Sequence, residues 1–131
     1  TEGEYVDNAG REHLLKVGMI LGPFFMFRKS ILETTKMFDE QLVSGADYDL
    51  ALRLAHNGKG MHIPHNSGYY LNEGLGASTR PDSKQPLERT VIELRYGLDV
   101  IDPRLIPYTK DYDIERVYNS PFKFKAKCLV K

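Results

Sequence analysis

The feature that most constrains this chain is residues 37–58, which read MFDEQLVSGADYDLALRLAHNG. An apolar stripe at helical spacing predicts a helix in the second half of this segment, at Ala46, Leu50 and Leu54. Ser44 suits an N-cap, and Asn57-Gly58 is a common helix stop. Asp47 and Asp49 would then fall in the first turn, where the helix dipole favours ionised carboxylates. An ionised carboxylate held on a rigid helix can take a proton from a hydroxyl group.

These two aspartates are expected to play different parts, because they lie roughly 200° apart around a helix. We therefore predict a structural role for Asp49, and the simplest interpretation of Asp47 by itself is a helix-capping carboxylate. Asp47-Tyr48-Asp49 spells Asp-x-Asp, but diverging side chains would not share one metal ion. For the second such triplet, Asp111-Tyr112-Asp113, we expect a solvated loop.

Length and charge limit the class of protein. The 131 residues suit a single domain spanning the whole chain. The formal net charge is +0, so nothing indicates the basic surface that nucleic-acid binding requires. Cys128 is the only cysteine, which excludes an internal disulfide and favours a reducing, cytoplasmic location. The longest apolar run, residues 18–27, is too short to span a bilayer. Because the chain begins at Thr1, we expect it to be a piece of something longer.

The remaining segments predict an α/β fold, a mixed sheet with flanking helices. Strands are expected at 24–27, 59–63 and 67–71, and the glycine-rich segment 74–84 is expected to be a loop. Helices are expected at 31–36, where Ser30 and Glu33 form a capping-box pattern, and at 86–98, which carries an apolar face. Residues 99–131 predict an irregular tail that ends in a basic edge strand at 122–128.

This order of elements carries a set of short motifs. A basic pair at 28–29 is followed by Phe-Asp-Glu at 38–40, Asp-Leu-Ala-Leu-Arg-Leu at 49–54 and a closing Gly58. Together they resemble the C-terminal, acceptor-side half of the nucleotide-diphospho-sugar glycosyltransferases of the family 2 type. The resemblance covers residues 22–79. It implies a partial transferase fold that lacks the N-terminal half, which holds the nucleotide-binding strands and the metal-binding Asp-x-Asp.

The resemblance also implies a reaction. In such enzymes, which serve polysaccharide biosynthesis, the aspartate at the position of Asp47 is the general base of an inverting hexosyl transfer. The donor is a nucleotide-diphospho-sugar and the acceptor a glycan or a lipid-linked hydroxyl. A divalent cation, Mn or Mg, would be held mainly by the absent half, so no metal ligand is assigned here. We expect the isolated chain to have little or no transferase activity.

Several neighbours of Asp47 are expected to bind substrate. Gly45, Ala46 and Tyr48 would shape the pocket around the base. Arg53 could form an exposed pair with Asp49, which is slightly favoured, or could brace the base or reach a diphosphate. Two further candidates lie beyond the helix: His65 at the border of the acceptor pocket, and Tyr70, which could stack on a sugar ring or simply pack.

Two departures from the family pattern keep other functions open. Ala46 stands where the family usually has an acidic residue, and Asn72-Glu73 stand where a histidine often occurs. The chain could instead be a non-catalytic carbohydrate-binding module. It could also be a protein-interaction domain, whose sign would be an uncovered apolar face on the helix at 86–98. Peripheral contact with a membrane and homo-oligomerisation both stay open.

Overall fold

The structure is a computed structural model that describes residues 4–6, 24–66, 68–69, 73–76 and 79–116. Its two strands are β1 (Glu4–Val6) and β2 (Gly60–His62), and its α-helices are α1 (Leu32–Thr35), α2 (Ala46–Asn57) and α3 (Gln85–Tyr96). Two 3-10 helices accompany them, a first at Lys29–Ile31 and a second at Pro103–Asp111. The helices predicted at 31–36 and 86–98 and the helix of segment 37–58 are therefore confirmed, with ends shifted by one or two residues.

The two long helices build the core between them. Six buried side chains pack together there: Leu42, Tyr48, Leu52, Val91, Ile92 and Tyr96. Each large apolar side chain that is fully buried stabilises the fold by about 1.5–3 kcal/mol. Val91 of the apolar face predicted on this helix is completely buried, and the three leucines of that face, Leu87, Leu94 and Leu98, are half-buried. The protein-interaction domain therefore stays a prediction.

Both long helices end at a glycine, which was predicted for Gly58 but not for Gly97, and α2 does not begin as predicted. Gly58 donates its N–H to the Leu54 carbonyl at 2.9 Å, and Gly97 ends α3 in the left-handed conformation with φ 68°. The N-cap of α2 is Gly45, so Ser44 lies one residue outside the helix and its predicted capping role is wrong. The capping box at Ser30 is wrong as well, since Ser30 lies inside the first 3-10 helix.

The two strands form an antiparallel pair in which Tyr5 lies opposite Met61. The strand predicted at 59–63 is confirmed by β2. The strand predicted at 24–27 is wrong, because this segment has no regular structure and the Met26 side chain is 95% exposed. Most of the strand predicted at 67–71 lies outside the described residues. The mixed sheet with flanking helices therefore stays a prediction.

The predicted irregular tail contains regular structure. Residues 103–111 form the second 3-10 helix, which packs against α3. Its first turn is capped by Asp102, whose carboxylate accepts the Arg104 N–H at 3.2 Å. The basic edge strand predicted at 122–128 lies outside the described residues, as does Cys128. Among the helices of the described ranges, none is long and apolar enough to cross a membrane.

Candidate functional site

Asp47 is the second residue of α2, and its side chain is exposed. Its Oδ1 accepts the N–H of Tyr48 at 2.8 Å. The carboxylate therefore stands at the positive end of the helix dipole, where a negative charge is favoured. An exposed carboxylate on the first turn of a three-turn helix can be reached by a ligand while its backbone stays fixed.

Asp49, two residues further on, points into the protein as its helical position predicts. Its Oδ2 accepts bonds from Arg53 Nε at 3.1 Å and Arg53 Nη2 at 2.8 Å. Its Oδ1 accepts bonds from Arg95 Nη1 at 2.9 Å and from the Tyr96 hydroxyl at 2.6 Å. Four donors thus surround one buried carboxylate, and the structural role predicted for Asp49 is confirmed.

Asp39, from the Phe-Asp-Glu turn, joins the same network through Arg95. Its Oδ2 accepts bonds from Arg95 Nη2 at 2.9 Å and from Gln41 Nε2 at 2.8 Å. Burial by itself would raise the pKa of Asp39, but the hydrogen bonds from Gln41 and the charge of Arg95 outweigh it and lower that pKa. Arg95 therefore bridges two carboxylates that the sequence places in separate motifs.

Arg53 is paired with Asp49 as predicted, but the pair is buried rather than exposed. The guanidinium also donates to three successive carbonyls at the end of α1: those of Thr35, of Lys36 at 3.4 Å and of Met37 at 2.9 Å. The side chain is 1% exposed. The substrate-binding role considered for Arg53 is therefore corrected, because its nitrogens hold the turn at 35–37 against α2.

Glu88 holds the segment that leads into α2. Its Oε1 accepts the N–H of Val43 at 2.8 Å, and its Oε2 accepts the N–H groups of Ser44 at 2.5 Å and Gly45 at 2.6 Å. The hydroxyl of Tyr112 donates to Oε1 at 3.3 Å. Glu88 lies on α3 and is completely buried. A carboxylate from a distant helix thus binds the residues that lead into α2, whose N-cap Gly45 has no side chain to cap the first turn.

The three residues predicted to shape the pocket around Asp47 are all partly or fully buried. Tyr48 is 6% exposed and packs in the core, so its predicted place in a substrate pocket is corrected. Burial raises the pKa of Tyr48 to about 12, and Arg89 lies 6.0 Å from its ring centroid. Gly45 is buried against Glu88, and half-buried Ala46 packs against the core, where it supplies no carboxylate.

The two outlying candidates stay untested. His65 is exposed after β2, and Tyr70 lies outside the described residues. Over the ranges that the structure describes, no group of three histidine, cysteine or acidic side chains is arranged to hold a metal ion. The triplet at 111–113 is more than a solvated loop, because the Asp113 carbonyl accepts bonds from Arg95 and Gln41, both at 3.0 Å.

Sequence reasoning missed Glu88, Arg95 and Tyr96 as members of this site. A signal for two of them was present: Glu88, Val91, Ile92 and Arg95 share one helical face by their spacing. Charged residues at both ends of an apolar helical stripe indicate buried charges that need partners. The identity of those partners depends on how α2 and α3 pack. Comparison with protein-family models, curated proteins and solved structures found no match to the chain.

Proposed function

We propose that this chain is the acceptor-side part of an inverting glycosyltransferase that uses a nucleotide-diphospho-sugar, with Asp47 as the general base. The observation that carries the proposal is the difference in burial among the acidic and basic residues of the motif. Asp39, Asp49 and Arg53 are all buried in one network, whereas Asp47 is exposed on the same helix. The buried members account for the motif as a scaffold, and of the two carboxylates in the first turn of α2 this scaffold leaves Asp47 exposed.

The chemistry requires such an arrangement. A sugar hydroxyl attacks the anomeric carbon only as its proton is removed, so the base must stay within about 2.6–3.2 Å of that oxygen. The start of α2 is held by Glu88 before the first turn and by Arg95 and Arg53 on Asp49 within it. Asp47 therefore projects from a fixed backbone, as a positioned base requires.

The cation of such a reaction belongs in this proposal to the nucleotide-binding half of the intact enzyme. The described residues supply no metal ligand set to it. When bound, that cation would stabilise the charge that develops on the leaving diphosphate. The residues of this chain would instead orient the acceptor and take its proton, so the isolated chain is expected to be inactive.

One observation favours a second function, that of a carbohydrate-binding module without catalysis. Ala46, where the family usually has an acidic residue, packs against the core and leaves Asp47 without that neighbour. Such a module would bind glycan, and neither nucleotide nor metal would change its affinity.

Replacement of Asp47 by Asn in the intact enzyme distinguishes the two functions. A base role predicts that transfer falls roughly 10²- to 10⁴-fold while the affinities for donor and acceptor stay as in the wild type. Asp82→Asn, at a carboxylate that is 79% exposed and pairs with its near neighbour Arg80, is the matched control and should leave transfer unchanged. Unchanged turnover in Asp47→Asn would remove the base role and favour the binding module.

A further inference from the structure

Three backbone donors in a row converge on a single carboxylate just before the helix that carries Asp47. The N–H groups of Val43, Ser44 and Gly45 all reach Glu88, at 2.8, 2.5 and 2.6 Å. Hydrogen bonds to a charged acceptor are roughly twice as strong as neutral ones. Glu88 is completely buried, so its carboxylate is shielded from water.

This contact sets where α2 begins. The Gly45 carbonyl accepts the Asp49 N–H at 3.1 Å, the first bond of the helix, while the Gly45 N–H is bound to Glu88. Asp47 follows two residues later, about 3 Å further along the helix axis. A displacement of Gly45 would therefore be transmitted directly to the backbone of Asp47.

Glycine at position 45 is what permits the approach. A Cβ there would lie 3.1 Å from Glu88 Cβ and 3.1 Å from Ile92 Cδ1, tighter than ordinary packing. Its backbone, with φ −108°, is open to any residue, so the requirement is space and not conformation. Because Gly45 has no side chain, the Glu88 carboxylate on α3 can approach the backbone of residues 43–45.

We infer that Glu88 is a positioning residue for the proposed general base. By binding the N–H groups of residues 43–45, it fixes the position and orientation of the Asp47 carboxylate relative to an acceptor hydroxyl. The inference rests on the proposed function of Asp47. Glu88 itself touches no substrate in this scheme. Displacement of a catalytic group by about 1 Å can cost roughly 100-fold in rate. Loss of the contact between Glu88 and residues 43–45 should therefore lower kcat more than it raises KM.

The chain offers a matched control on the same helix. Glu93 is also buried, and its carboxylate accepts bonds from Arg89 Nε at 3.1 Å and from the Ile101 N–H at 3.2 Å. These contacts lie away from the 43–45 loop. Glu88→Gln and Glu93→Gln therefore remove the same charge from one helix, but only the first presents an amide donor to the loop N–H groups.

The first measurement is amide hydrogen exchange in this chain. In Glu88→Gln, the amides of 43–45 should exchange roughly 10- to 100-fold faster relative to the Leu52 amide. In Glu93→Gln that ratio should stay within about twofold of the wild type. If Glu88→Gln does not fold, Gly45→Ala disturbs the same contact from the other side and should raise the same ratio. If this ratio of exchange rates is unchanged in the folded variant, Glu88 does not hold residues 43–45 and the inference is wrong.

The second measurement is steady-state transfer by the intact enzyme. Glu88→Gln should lower kcat roughly 10- to 100-fold with the acceptor KM within about threefold of wild type, and Glu93→Gln should leave both unchanged. Wild-type kcat in Glu88→Gln, together with an impaired Asp47→Asn, overturns the positioning role alone. Wild-type kcat in Asp47→Asn overturns the proposed function and the positioning role with it.

Discussion

Asp49 and Arg95 lie 46 positions apart in the chain and meet as a buried ion pair, with 2.9 Å between Asp49 Oδ1 and Arg95 Nη1. The same guanidinium reaches Asp39 through its other terminal nitrogen, also at 2.9 Å. Helices α2 and α3 are thus joined by charge as well as by apolar packing. A buried pair costs desolvation when it forms, but removal of one partner leaves the other charge buried and alone.

Asp49→Asn should therefore be among the most damaging substitutions in this chain. We expect a loss of about 3–5 kcal/mol in the free energy of unfolding, because buried Arg53 would lose its carboxylate partner and Arg95 would keep only Asp39. Urea denaturation measures it. Asp47→Asn, in the same helical turn but exposed, should cost less than about 1 kcal/mol. Equal losses in the two variants would contradict the buried network.

Tyr96→Phe isolates one hydrogen bond of the network. The ring keeps its place in the core, but the hydroxyl that donates to Asp49 at 2.6 Å is removed. A bond to a charged acceptor predicts a loss of about 1.5–3 kcal/mol in unfolding free energy. Tyr108→Phe is the control, since Tyr108 is mostly exposed and should change stability little. A Tyr96→Phe protein as stable as wild type would show that the hydroxyl contributes nothing.

The pH dependence of stability follows from Asp39, whose pKa is lowered in the folded protein below its ordinary 3.8. A lowered folded-state pKa means that the unfolded chain binds the proton first. The contribution of Asp39 is therefore complete above that ordinary value and is lost as the pH falls below it. Denaturation midpoints measured from about pH 6 to pH 2 should drop at the acid end. Asp39→Asn should show a smaller acid slope, whereas an unchanged slope would assign the effect to other groups.

Lys36 is the one non-glycine residue with positive φ in the part of the chain that the structure describes, at φ 60° and ψ 178°. This conformation favours glycine and costs other residues about 1–3 kcal/mol. Lys36→Gly should therefore raise the free energy of unfolding by about 1 kcal/mol after the greater flexibility of unfolded glycine is counted. Lys36→Ala keeps the Cβ and should give no gain. A glycine variant that is no more stable than the alanine variant would contradict the strain.

Local patterns in the sequence predicted the elements that depend on local physics. Helices α2 and α3 were expected from apolar spacing, and the end of α2 from Gly58, because helical periodicity and glycine stops act within a few residues. The predicted strand at 24–27 failed because an apolar run of that length becomes a strand only when a neighbouring strand and a core receive it. In the structure its Met26 is almost fully exposed.

In the candidate site, too, local sequence predicted some features and tertiary packing decided the others. The spacing of Asp47 and Asp49 by itself determined that the two carboxylates leave α2 in different directions, since each residue turns the helix by about 100°. Only the tertiary structure decided which partners receive Asp49 and what holds the start of α2. Arg95, Tyr96 and Glu88 come from a helix more than 40 positions away, and Glu88 rather than Ser44 holds the residues before α2. Local sequence encodes the direction of a side chain, whereas packing of separate helices decides what that side chain meets.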